Sequence, residues 1–252
     1  MQTTTVWSFP DRGKWATHNS KYRGNWAPQI ARNIILLYSK AGDTVLDPMV
    51  GSGTTMVEAK LLGRKGMGLD IHPEAVSLAK KACDFKGNNG AIEPEIEQGK
   101  AQDLKQIKDN SMDLIATHPP YLNIIRYGNK NFEGDLSALS SVSKFCDQIE
   151  GVAKECLRVL KPGKYCVILM GDTRRRRHFV PLAYNVMQRF LKTGFILKED
   201  IIKIQHNCTT TRYWQAQERD FQLIMHEHLF VFRKPEQKEN TQNYKDSMIQ
   251  KL

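Results

Sequence analysis

The run Val45-Leu46-Asp47-Pro48-Met49-Val50-Gly51-Ser52-Gly53-Thr54-Thr55 constrains the fold more than any other stretch of this chain. Thr44-Val45-Leu46 starts a buried strand, and residues 54–62 read as a helix that Gly63 ends. Between them stand Gly51 and Gly53, which permit positive φ and a close approach of backbone to ligand. A strand turning through glycines directly into a helix is a unit of an open, mostly parallel α/β sheet, where ligands lie outside the carboxyl ends of the strands. No Lys follows the last glycine, so this is not a Walker phosphate loop.

The same alternation continues along the chain. Helices are expected over 29–39, 54–62, 73–85, 139–160 and 181–191. Strands are expected over 44–46, 65–71, 95–98, 112–117, 165–170, 201–204 and 228–233, the last two as a closing antiparallel pair. Residues 86–94 and 122–137 read as loops. No repeat or linker interrupts 1–235, which reads as one domain, and the polar tail 236–252 is expected to fray. A chain of 252 residues suits a single α/β unit.

Composition narrows the class. No stretch approaches the ~20 apolar residues of a membrane span, and the first residues lack the basic-then-apolar order of a secretory signal. Five scattered cysteines without CxxC spacing argue against a structural zinc and a disulfide framework, so no metal is expected and a reducing cytoplasm is. A net charge of +10 gives a positive field that attracts a polyanion.

The strand ends carry the candidate chemistry. Asp47 suits a ligand bearing an ammonium and a sulfonium rather than phosphates, with Pro48 beside it and Thr54 and Thr55 offering hydroxyls and free helix N–H groups. Asp70 ends the next strand, where an acidic residue accepts hydrogen bonds from ribose hydroxyls; Ile71 follows it. Asp103, near the end of the third strand, either faces an adenine amine or is a surface acid. The set points to S-adenosylmethionine (SAM) as cofactor.

His118-Pro119-Pro120-Tyr121 follows Met112 to Thr117. Adjacent prolines cannot continue a central strand, so the strand ends there and leaves Tyr121 at its carboxyl edge. An exocyclic base amine is a poor nucleophile, and acceptors aimed at its two hydrogens favour the tetrahedral nitrogen that attacks a methyl group. The Pro119 carbonyl can be one acceptor and His118 the other, while Tyr121 stacks on a base that has left the duplex. An imidazole accepts only when neutral, so activity is expected to fall as pH drops through the ordinary histidine pKa of ~6.5. None of the five cysteines follows a proline, which disfavours methylation of cytosine C5.

Taken together, Asp47-Pro48, Gly51-Ser52-Gly53-Thr54-Thr55 and His118-Pro119-Pro120-Tyr121 resemble the DNA amino-methyltransferases that modify cytosine N4 or adenine N6. Residues 21–28 are similar to that family's cofactor-closing segment, 155–163 to its helix-to-strand turn and 226–234 to its last strand, so the likeness covers roughly 7–235. The resemblance implies a Rossmann-like, mostly parallel seven-stranded SAM-dependent methyltransferase sheet with an antiparallel last strand. It implies cofactor contacts at Asp47, Gly51, Gly53, Asp70 and the segment holding Asn25 and Trp26, and base contacts at His118, Pro119, Pro120 and Tyr121. The family usually has Ser, Asn or Asp where His118 stands, and no long inserted block serves as a separate target-recognition domain. Thr117 before the clamp is similar to the Thr-Ser-Pro-Pro-Tyr run of N4-cytosine enzymes, which favours cytosine N4 over adenine N6. An RNA base-amine methyltransferase and a non-catalytic DNA-binding relative are the alternatives. Double-stranded DNA is the expected partner, and a cognate restriction enzyme is compatible with the family. Arg174, Arg175, Arg176 and Arg177 are expected to grip it from a loop at the clamp's edge, with Arg126 in 122–137 and Arg212 in 206–221 on two further reading loops.

Overall fold

Apolar side chains alternate between the two faces of the strands, and this alternation builds the molecule. The computed structural model describes residues 2–87, 90–125, 127, 132–208, 213 and 215–249. Among them the chain runs β1 (Val6–Ser8), α1 (Pro28–Tyr38), β2 (Thr44–Asp47), α2 (Thr54–Leu61), β3 (Lys65–Asp70), α3 (Pro73–Cys83), β4 (Glu95–Gln98) and β5 (Met112–Thr117). It continues through α4 (Val142–Val159), β6 (Leu160–Met170), β7 (Thr173–Arg175), β8 (His178–Val180), α5 (Leu182–Lys192), β9 (Ile196–Ile204) and β10 (His226–Arg233). Eight strands form one sheet in the order β1-β9-β10-β6-β5-β2-β3-β4. Its neighbours are parallel except at β10, which is antiparallel to both β6 and β9.

All seven expected strands are present. An eighth, β1, extends the edge by pairing parallel with β9 from Val6 opposite Ile202 to Ser8 opposite Ile204. Three residues are too few for periodicity to reveal. Leu114, Ala116, Val167, Leu169, Leu229 and Val231 pack with Ile30 and Ile34 of α1 on one face. Their neighbours Ile115, Ile168, Met170, Phe230 and Phe232 meet Phe145 and Ile149 of α4 and Phe190 of α5 on the other.

Helix α2 is buried along almost its whole length, including Glu58 and Lys60. These charges are tolerated because each is paired. Glu58 accepts from Trp15 at 2.6 Å and Arg32 at 2.9 Å, with His18 at 2.8 Å. Lys60 donates to the Cys83 and Phe85 carbonyls at 2.8 and 2.7 Å. Helix α4 starts at Val142, later than its apolar pattern suggests, because the Ser141 hydroxyl caps it at Lys144 N. The arginine run, expected as a loop, is a two-stranded hairpin of β7 and β8 that turns at Arg176 and Arg177, both at positive φ. The tail does not simply fray, since Glu239 takes a bidentate pair from Arg233 and Tyr244 lies under the same guanidinium.

This order positions the site. The chain leaves β2 for β3 and β4, then returns to β5 on the other side of β2. The carboxyl ends of β2 and β5 therefore diverge into a crevice at a topological switch point. No described helix is long and apolar enough to cross a membrane.

Candidate active site

At that crevice lies a cleft of about 750 Å³, part of it open to solvent. Its floor is the glycine turn between β2 and α2. Gly51 and Gly53 both take positive φ, and a Cβ on Gly53 would stand 2.9 Å from the Ala79 Cα. Asp70 pins the turn, accepting from Gly51 N at 2.9 Å and His72 N at 3.0 Å. Asp47 accepts from Met49 N at 3.1 Å, Thr117 Oγ1 at 2.7 Å and Thr55 Oγ1 at 2.5 Å. It lines the cleft, yet its oxygens also clasp β2, α2 and β5 together. Burial raises both carboxyls above the usual range, Asp47 to about 6.

Pro48, Thr54, Ile71, Asn25 and Trp26 line the same cleft. Thr55 contributes through Asp47, and Gly53 sets the entry to α2. Asp103 does not reach the cleft. Its N–H closes a turn onto the Lys100 carbonyl, which swings the half-exposed carboxylate out to Lys105 at 3.0 Å. Ala101 and Gln102 line the wall instead. Tyr22 of the cofactor-closing segment also converges here, stacked on Tyr127 at 5.6 Å, as does Asp135, unflagged by sequence, whose carboxylate sits 3.1 Å from His72 Nε2. Asp135 falls in an aperiodic loop, where only its Asx turn to Ser137 was a readable signal.

His118 and Pro120 line the cleft too, with Pro119 buried behind them. The imidazole stacks on Trp26, ring centroids 5.8 Å apart at 20°. Its Nε2 is 2.6 Å from the Tyr121 hydroxyl, which donates to Glu227 Oε1 at 2.9 Å. Glu227 Oε2 accepts from Lys203 at 2.8 Å. Burial pushes Glu227 up, but Lys203 first and then His118 hold it net below the usual range, so it is an acceptor only. The Tyr121 proton points to Glu227, which leaves the Tyr121 oxygen able to accept from His118 Nε2–H. Nδ1 is buried without a well-formed hydrogen bond, and the Gly24 backbone acts on the ring as an acceptor that raises its pKa. Burial also lowers the His118 pKa to about 4, against the pull of Glu227. The ordinary value of ~6.5 belongs to an unperturbed ring, so the transition expected from His118 moves down with its pKa.

Tyr121 packs its ring against Gly171, where a Cβ would lie 2.7 Å from it. In this arrangement its hydroxyl orients the imidazole. Glu227 and Lys203 were missed by sequence reasoning. Their signal was a carboxylate between two histidines ahead of the apolar Leu229-Phe230-Val231-Phe232 of β10, and a lysine within Ile201-Ile202-Lys203-Ile204.

Three of the four hairpin arginines are tied down. Arg174 donates to the Gln222 carbonyl at 2.7 Å and lies over Phe221, Arg175 donates to the Ser140 carbonyl, and Arg177 meets Asp220 at 2.8 Å. Arg176 sits exposed at the turn. Arg126 and Arg212 lie outside the described residues.

Among its described lining residues the cleft holds Asp47, Asp70 and Asp135 and no Lys or Arg. That donor set fits a ligand with cationic and hydroxyl groups and repels a polyphosphate. With a glycine-turned loop at the switch point of this sheet, it gives the fold and cofactor site of the SAM-dependent methyltransferase class, and the donor set fits S-adenosylmethionine. More narrowly, the chain belongs to the DNA methylase family, whose model matches residues 1–81 and 112–251; a methyltransferase-domain model also matches 46–119. It is 37% identical over 132 residues to the type II methyltransferase M.HpaI of Haemophilus parainfluenzae, covering 52% of this chain and 39% of that protein. It is 35% identical over 101 residues to a tRNA (guanine(10)-N2)-dimethyltransferase of Methanothermobacter thermautotrophicus, covering 40% of this chain and 29% of that protein. The chain thus spans well under half the length of these curated relatives. A SAM-dependent methyltransferase structure from Methanosarcina mazei matches the fold with a TM-score of 0.56 at 17% identity, covering 81% of this chain and 98% of that one.

Proposed function

We propose that this chain methylates the exocyclic amine of a base flipped out of duplex DNA, cytosine N4 ahead of adenine N6. The observation that carries the reading is that His118 and Pro120 line the same cleft as Gly51 and Asp70. An acceptor for an amine hydrogen thereby stands beside the cofactor-binding turn. In this reading the His118 ring and the Pro119 carbonyl accept from the amine, which frees its lone pair for attack. Held at Asp47, Asp70 and the Gly51–Gly53 turn, SAM would offer an electrophilic methyl group whose bonding pair would stay with its sulfur, and the methylated amine would give up a proton. The SAM supplies the methyl group; the chain orients, desolvates and accepts.

The cytosine preference rests on Thr117 before the clamp, although the Thr117 hydroxyl is itself engaged by Asp47. Likeness to type II DNA methyltransferases such as M.HpaI favours DNA. The match to a tRNA guanine-N2 enzyme supports a second reading, transfer to a base amine in RNA. Incubation with methyl-labelled SAM and either duplex DNA or tRNA, followed by nucleoside chromatography, tests both. Label in N4-methylcytosine from DNA is the expected result, and label in RNA alone would reverse the ranking.

A further inference from the structure

On the far side of Glu227 from the cleft, three donors converge that the proposed reaction does not use. The pairing of His228 with Met170 sets Asp172, two residues past Met170, alongside His226, two residues before His228. One ligand atom from each of Asp172, His226 and His228 lies within 4.8 Å of the other two. The Asp172 and His228 side chains are only 1% and 3% exposed. Asp172 Oδ1 accepts from Ala183 N at 2.8 Å, but Oδ2 is buried with no hydrogen-bond partner. His228 Nδ1 is held by Asp200 at 3.1 Å, while Nε2 is buried, unpartnered and 3.7 Å from that same Oδ2. Asp172 Oδ2 and His228 Nε2 are thus two buried polar atoms aimed at one another without a hydrogen-bond partner, and a bound cation would satisfy both.

The geometry points to a divalent transition-metal site, with zinc the best fit, formed by Asp172, His226 and His228. Two imidazoles and a carboxylate are a zinc donor set, and three protein ligands leave a fourth position open. The Asp200–His228 contact is the carboxylate–histidine arrangement that fixes ring orientation behind a metal ligand. Donors about 3.3 Å apart fill a tetrahedral zinc shell; the 3.7 Å pair is near that spacing. The half-exposed His226 closes the remainder by side-chain rotation. The His228 ring is already fixed by stacking on Phe230 and by Tyr184. Cysteine spacing could not reveal the site, because its ligands are two histidines and an aspartate brought together by the pairing of β6 with β10.

The test is zinc binding by the full chain, stripped with a chelator and titrated with Zn²⁺ alone. One zinc per chain is expected, with affinity at least tenfold weaker in both Asp172→Asn and His226→Ala and unchanged in His206→Ala. The Asp172→Asn change keeps the Oδ1 acceptor for Ala183, so metal-free melting should match the parent, and zinc should raise the melting temperature of the parent but of neither variant. Cobalt substitution should give the intense visible absorption of a four-coordinate ion. Absence of stoichiometric binding would overturn the site, as would binding that survives both substitutions or moves with Cys208→Ser. Nitrogen-resolved NMR showing His228 doubly protonated near neutral pH in the presence of zinc would also overturn it, because the cation would then be a proton.

Discussion

What His118 can do is decided by hydrogen-bond polarity rather than by its identity alone. Because Glu227 can only accept, the order His118–Tyr121–Glu227 favours the Nε2–H tautomer, against the Gly24 backbone acceptor that also acts on the ring. Glu227→Gln removes that polarity, since an amide can donate to the Tyr121 oxygen and allow the other tautomer. We expect turnover to fall roughly ten- to hundredfold, with cofactor affinity little changed; equal losses in both would contradict an orienting role. The pH dependence follows from two opposite shifts. The His118 pKa is lowered to about 4, so the ring stays neutral, and its lone pair available, until pH falls through about 4. The Asp47 pKa is raised to about 6, so its carboxylate takes a proton as pH falls through about 6 and loses attraction for a cationic cofactor. Turnover at saturating cofactor should be level from about pH 8 to about pH 5, while the cofactor KM rises below about pH 6. A turnover that halves near the ordinary histidine value of ~6.5 would show His118 to be solvated instead.

At the scale of elements, the turn from β2 into α2 is the most constrained backbone. Gly53→Ala places a side chain at φ +89 with its Cβ 2.9 Å from the Ala79 backbone. The conformation costs about 1–2 kcal/mol and the overlap about 1–3 kcal/mol more, so thermal stability and cofactor affinity should both drop. Gly42→Ala is the control: φ is +85 but nothing lies within 4 Å, so denaturant melts should show only the first cost. Equal destabilisation of the two would mean that α3 yields at Ala79. This turn was readable in the sequence because everything that specifies it is local: strand, two glycines, helix. The central strands were readable for a similar reason, as unbroken apolar runs such as Leu114-Ile115-Ala116 mark a sheet covered on both faces. Contacts across the fold were not. Tyr121 meets Glu227 across 106 residues, and β1 gains its strand character only from β9. Asp103 was left open between the adenine amine and the surface because a single turn at Lys100 decides which way it faces.

For the molecule as a whole, the sign of charge divides the surface. Among the described residues the cleft lining carries three aspartates and no Lys or Arg, so the positive surplus of those residues lies outside it, where a polyanion can be drawn to the rim without competing for the cofactor's place. The β7–β8 hairpin is the candidate grip, but its four arginines are not equivalent. Arg177 is already balanced by Asp220, whereas Arg176 projects exposed from the turn. If the hairpin holds phosphates, log affinity for duplex DNA falls linearly with log salt, and each lost contact reduces the slope by about 0.9. Arg176→Ala should therefore flatten the slope by nearly one such step, and Arg177→Ala by clearly less. Fluorescence anisotropy on a labelled duplex across a salt series measures both. An unchanged slope for Arg176→Ala would make the hairpin a solvated turn, and the positive surplus would then steer DNA without gripping it there.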